Sequence, residues 1–214
     1  MSTQGKFITL VFAATLMCGS VKAAAVSGRF DKPGLDVPEA TVYTSTLPPI
    51  GYVDFCGRQE DECKFSGGKV EKLALTTEAW DQIQQVNRYA NNTIRPVTDI
   101  AQYAVMDYWT YPVNAGDCED YVLFKKRLLS QLGISADELL ITVVLDENQN
   151  GHAVLTIPTD KGDYILDNRR DEILRWDQTG YTYLKRQSQP QANQWVSLQK
   201  APSAPNTSIA TTGK

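Results

Sequence analysis

The sequence predicts an α+β protein, with helices first and an antiparallel sheet after them. Three observations carry this. Apolar residues recur at helical spacing after Thr77 and again after Cys118. From Leu139 onward the pattern becomes short β-branched runs separated by polar turns. Gly133 marks the change from one pattern to the other, and helices followed by strands argue for segregated layers.

The chain opens with a stretch that reads as a secretory signal over 1–25. Lys6 is the basic start, Phe7 to Met17 is apolar, and Ala23-Ala24-Ala25 offers a small-residue cleavage site. The apolar run is short of the roughly 20 residues a membrane span needs, although a retained anchor is the alternative. Cys18 lacks the small preceding residue expected of a lipidated cysteine. The expectation is a periplasmic or secreted protein. Removing Lys6 and Lys22 with the signal leaves 19 basic against 25 acidic residues, a formal charge of −6. With no basic cluster, that balance argues against nucleic acid as a partner. The remaining length suits one domain, placed at 26–199, followed by a disordered Pro-, Ser- and Thr-rich tail at 200–214.

Residues 26–50 read as an extended lead-in that covers one side of the domain, and Tyr52, Val53 and Phe55 as a short strand or packed loop. Gly67-Gly68 marks a turn. Thr76 or Thr77 caps a helix whose stripe is Trp80, Ile83, Val86 and Tyr89 or Ala90, fading at Asn91-Asn92 before Pro96. Asp99 to Trp109 has mixed periodicity and reads as helix or strand. Pro112 and Gly116 turn the chain into a helix that starts at Cys118, with Val122, Leu123, Leu128, Leu129 and Leu132 recurring along it. Strands follow at Leu139–Leu145, His152–Ile157 and Tyr164–Asp167, with more expected around Trp176 and Tyr181 to Lys185.

Without Cys18, three cysteines remain. Cys56 and Cys63 are close enough to close a small disulfide loop in an oxidising compartment. That leaves Cys118 as a free thiol at a helix start, where the dipole and free N–H groups favour the thiolate. A buried inert cysteine would have apolar neighbours; this one has Asp117, Glu119 and Asp120. The chain has one histidine, His152, opening a strand, and Asp167 ends the next. Adjacent antiparallel strands can bring these two together, and a helix N-terminus packed on them would complete a thiol, base and orienting acid. The Cys118 backbone N–H would help hold an oxyanion. The bland alternatives are a satisfied core histidine and an Asp167 that merely begins a turn.

The acidic flank works against the thiolate, since negative neighbours raise a thiol's pKa. Asp117 and Asp120 could be a helix cap and capping box, with Glu119 favouring the dipole. Alternatively Asp117, Glu119 and Asp120 converge on a hard cation such as calcium, with Asp137 completing the site if the fold returns it. No Cys/His cluster suggests zinc.

These residues resemble the bacterial transglutaminase-like cysteine proteinases, of the LapG-like periplasmic type. The resemblance runs through Val86-Asn87, Asp107-Tyr108-Trp109, Pro112, Gly116-Asp117-Cys118-Glu119-Asp120-Tyr121, Lys125, Gly133, Gly151-His152-Ala153-Val154-Leu155 and Leu166-Asp167-Asn168. Pro49-Ile50-Gly51 with Cys56 and Cys63 looks like the alphaproteobacterial branch. The resemblance implies a papain-like, transglutaminase-type fold and a Cys118, His152, Asp167 triad. It also implies calcium bound through Asp117, Glu119 and Asp120. By the same resemblance the substrate is a protein, such as a surface adhesin, and a membrane-bound receptor restrains the enzyme. The expected reading is a monomeric exported cysteine peptidase working through a thioester. A catalytically weak protein-binding module and a transglutaminase-type acyl transferase remain as alternatives.

Overall fold

The computed structural model describes residues 39–64, 72–191 and 193–200. The signal segment, the lead-in up to residue 38, the Gly67-Gly68 turn and the tail beyond Lys200 lie outside them. The rest of the lead-in adds an edge to the sheet: Ser45–Thr46 (β1) pairs antiparallel with Trp195–Ser197, close to the other end of the chain.

Pro49 then opens a helix, Ile50–Arg58 (α1), where a strand or loop was expected. The spacing explains the difference. Gly51, Tyr52 and Phe55 fall on one helical face and are buried, with the Tyr52 ring edge-on to both Trp109 and Trp195. Gly51 is pressed against Trp109, so that a Cβ there would sit 2.4 Å from its Cδ1. The Cys56–Cys63 disulfide is formed, with 5.6 Å between Cα atoms.

The next helix, Thr77–Thr93 (α2), is capped by Thr76, whose Oγ1 accepts from the Ala79 N–H at 3.2 Å. Its buried face is Ile83, Val86, Asn87 and Ala90, while Tyr89 is exposed. Two short parallel strands follow, Arg95–Pro96 (β2) and Ala115–Gly116 (β3), bridging the ambiguous 99–109 region. That region resolves into a short helix, Asp99–Tyr103 (α3), and a loop through Trp109. The parallel pairing runs the chain before α3 alongside the chain before Cys118, which decides what surrounds the cysteine.

The Cys118 helix spans Cys118–Gln131 (α4) and stops before Gly133, whose φ of +96° suits glycine. After it come Leu140–Leu145 (β4), Gly151–Thr159 (β5), Gly162–Asp167 (β6), Arg170–Arg175 (β7) and Thr182–Gln187 (β8), with Trp195–Ser197 as β9. Trp176, expected in a strand, begins a 3-10 turn instead. The seven strands run in the order β1-β9-β8-β4-β5-β6-β7, every pair antiparallel. β5 sits inside the sheet and all but its first residue is buried, as expected of a strand covered on both faces.

The main core lies between sheet and helices: Ile83 and Val86 of α2, Val122, Leu123 and Leu129 of α4, and Leu155, Ile157 and Leu166 of the strands. Val144, Val154, Ile165 and Tyr183 form a second cluster. The helices are thus fastened to the sheet by apolar contact, which fixes where the start of α4 meets β5.

Candidate active site at the start of the fourth helix

Cys118 is the first residue of α4, so its N–H has no partner within the helix. Its Sγ lies 3.1 Å from Glu119 Oε2 and takes the backbone N–H of Ala153, the residue after His152. Burial pushes the thiol well above its ordinary value, the Glu119 carboxyl adds to this, and the Ala153 N–H opposes it. The dipole's preference for a thiolate is therefore outweighed by burial first and by the acids beside it second.

His152 and Asp167 meet directly. His152 Nε2 lies 2.9 Å from Asp167 Oδ1, and both side chains are almost wholly buried. Asp167 is well supplied with donors. Oδ1 also accepts from the Arg169 N–H at 3.0 Å, and Oδ2 from the Tyr181 hydroxyl at 2.6 Å. Burial alone would raise its pKa, but the bonds from His152, Tyr181 and Arg169 outweigh it and hold Asp167 at about 2. The Arg169 bond is the side-chain turn anticipated as the bland alternative. It coexists with the histidine contact. With Nε2 occupied, Nδ1 is the ring nitrogen left for other work.

A second acidic group surrounds the cysteine. Carboxylate oxygens of Asp99, Asp117 and Glu119 lie within 4.8 Å of one another. Asp117 does not cap α4 with its side chain. Its Oδ2 accepts from the Asp99 N–H at 3.1 Å, and Asp99 Oδ2 accepts from the Tyr108 N–H. Among the described residues no donor reaches Asp99 Oδ1 or Asp117 Oδ1, although both are shut off from water. Burial raises Glu119 to about 9, with Asp117 adding to it. Burial raises Asp99 as well, with Asp117 and Asp107 contributing. Isolated buried carboxylates cost several kcal/mol each, of the order that drives them to protonate or to take a cation. An all-oxygen set with unmet lone pairs fits a hard cation such as calcium.

The family model for the bacterial transglutaminase-like cysteine proteinase, BTLCP, matches residues 42–203. The chain belongs to this family. No curated protein sequence matches it. Among solved structures it is similar to Legionella pneumophila LapG, at 29% identity over 50% of this chain and 64% of that one, with a TM-score of 0.45. It is also similar to the EGTA-treated form, at 29% identity over 50% and 62%, with a TM-score of 0.45. For the calcium-bound form the identity is 26% over 58% and 72%, with a TM-score of 0.48. The chain thus spans less than two thirds of the first two of these structures.

In this bacterial transglutaminase-like proteinase, the expected metal residues divide. Asp117 and Glu119 belong to the close acidic group with Asp99, and Asp120 stands next to it, its Oδ2 buried without a donor among the described residues. Asp120 Oδ1 accepts from the Thr110 N–H at 2.8 Å, and its carboxylate packs so close to Gly116 that a Cβ there would sit 2.4 Å from Oδ2. Burial, aided by Asp117 and Asp99, raises Asp120 to about 8. Asp137, the conditional fourth ligand, lies instead beside Lys126 on the 3-10 turn Ala136–Glu138. The residue missed from the sequence is Asp99. Nothing in its local pattern distinguishes it, because only the β2–β3 pairing carries it to Asp117. Tyr181 was missed because only the folded chain after β7 brings its hydroxyl to Asp167.

Among the described residues, no helix is long and apolar enough to cross a membrane, and the one free cysteine is Cys118.

Proposed function

We propose that this chain is an exported cysteine peptidase in which Cys118, His152 and Asp167 act as nucleophile, base and orienting acid. The observation that carries the reading is the buried His152–Asp167 bond at 2.9 Å, with Cys118 meeting the same strand one residue further on. Asp167 fixes the ring with Nε2–H engaged, so that Nδ1 takes the Sγ proton. The thiolate sulfur then forms a bond to the substrate carbonyl carbon, and the oxyanion is met by the Cys118 backbone N–H at the free helix end. The tetrahedral centre collapses, the C–N bond breaks and Nδ1–H gives its proton to the leaving amine. Water, deprotonated by the same nitrogen, hydrolyses the thioester and restores the thiol.

Asp99, Asp117 and Glu119 are the residues that would hold calcium, with Asp120 behind them. Bound there, the ion supplies positive charge that offsets the carboxylates otherwise raising the Cys118 pKa. The substrate is proposed to be a protein outside the cytoplasm, by the family resemblance a surface adhesin, with a membrane-bound receptor as restraint and a monomer as the working unit. The signal at 1–25 and the periplasmic location belong to the same proposal.

The test is alkylation of Cys118 against pH, with calcium, with chelator and in His152→Ala, beside peptide hydrolysis by wild type and Cys118→Ala. Fast labelling below pH 7 that needs both calcium and His152, with hydrolysis absent in Cys118→Ala, is the expected result. Hydrolysis surviving in Cys118→Ala would sink the assignment.

A further inference from the structure

Two helices reach the turn that presents Asp167. Asn91 of α2 donates through Nδ2 to the carbonyls of Asp167 (3.1 Å) and Arg170 (3.0 Å) and to Asp171 Oδ1 (2.9 Å). One turn earlier, Asn87 Nδ2 donates to the carbonyls of Arg170 (3.3 Å) and Asp171 (3.1 Å). The Asn87 amide is oriented this way because its Oδ1 accepts from Lys125 Nζ at 2.7 Å. Lys125 stands on α4, two helical turns beyond Cys118, and is 1% exposed. Burial pulls it down to about 7, while Asp167 and Asp171 pull the other way.

Packing does not call for these residues. Asn87 occupies a position in the apolar stripe of α2 and is wholly buried. A buried lysine whose nearest acceptor is a neutral amide is less favourable than an apolar side chain of its shape. Yet the bonds of all three side chains lead to residues 167–171, where the β6–β7 ladder pairs Asp167 with Arg170 and the Asp167 carboxylate is held by His152, Arg169, Tyr181 and Arg170.

We propose that Lys125, Asn87 and Asn91 form a latch that ties α4 and α2 to the 167–171 turn and so fixes the Asp167 carboxylate against His152. They are positioning residues, and the proposal rests on the role given to Asp167 above. Because α4 carries Cys118 at one end and Lys125 two turns on, a single rigid element sets both the nucleophile and the acid.

The test uses the fact that His152 is the chain's single histidine. In the mature full-length protein its ring N–H gives one set of NMR resonances, and Asp167→Asn supplies the reference for a broken bond. Lys125→Met and Asn91→Ala are expected to speed exchange of the His152 Nε2–H with water by about tenfold, moving the resonance toward the reference. In both, kcat for peptide hydrolysis should fall with KM unchanged, and Lys125→Met should keep its melting temperature. Lys126→Met is the control. That lysine is half-buried on the same helix, but donates to the carbonyls of Ala136 and Leu139, so the His152 resonance should stay put. Should Lys125→Met fail to fold, the half-buried Asn91→Ala decides alone. Wild-type exchange in the folded latch variants, or no change in Asp167→Asn itself, overturns the latch. The resonance does not depend on turnover, so a failure of the peptidase reading would show separately in Cys118→Ala.

Discussion

Asp167 and the Asp99–Asp117–Glu119 group are both buried acids near the same cysteine, and they sit in opposite electrostatic conditions. Asp167 has donors from His152, Tyr181 and the Arg169 N–H, and is held down at about 2. The other group faces its own members, keeps two oxygens without a donor, and has Glu119 raised to about 9. Burial acts upward on both; the supply of donors decides the sign. One acid is finished by the protein itself. The other is left to hold protons or to take a cation.

The strongest way to break this comparison is to remove the finished acid. Asp167→Asn should lower kcat/KM for a peptide substrate by about 10²- to 10⁴-fold while the fold survives, since the ring then loses the partner that sets its tautomer. Near-normal turnover would mean that the histidine needs no such orientation. On the other side, Asp99→Asn should weaken calcium binding by about tenfold or more, read as a smaller calcium-induced rise in melting temperature. An unchanged response would remove Asp99 from the ligand set.

A pH series sharpens the contrast because the two signs differ. Glu119 and Asp120, raised to about 9 and about 8, bind more protons folded than unfolded from about pH 4 upward. In chelator the protein should therefore lose stability as pH rises across that window, by a few degrees in melting temperature, and calcium should flatten the slope. Asp167 behaves the other way. Its depressed pKa gives stability that is full above about pH 4 and lost as pH falls toward 2. A chelated protein that is most stable near pH 8 would contradict the first half.

The smallest effect concerns neither acid. Cys56→Ser should cost about 2 kcal/mol of stability in denaturant melts, since the disulfide restrains only a short loop. It should leave the calcium response alone. If the calcium response fell with it, the disulfide loop and the acidic group would not be independent.

Much of this site was legible before the fold was known, and the limits have particular causes. Cys118 at a helix start, a lone histidine opening a strand and Asp167 closing the next are local facts of spacing, and the helix and two strands appeared where the periodicity placed them. The disulfide followed from cysteine count and proximity. The Tyr52–Phe55 stretch was misread because a short apolar run does not distinguish strand from helix, and contact with Trp109 and Trp195 settled it. The bond from the Thr110 N–H to Asp120 is a contact that the neighbours of Asp120 in sequence do not reveal.

The sequence by itself determined helices before sheet, a free thiol at the start of α4 and the pairing expected of His152 with Asp167, because these depend on periodicity and on residue types at short range. Tertiary structure alone decided which carboxylates converge. Asp99 meets Asp117 through two short parallel strands, and Lys125 and Asn87 meet the Asp167 turn through helix packing. Both are contacts between segments far apart in the chain, whose register is set by the burial of a whole core and not by the residues that touch.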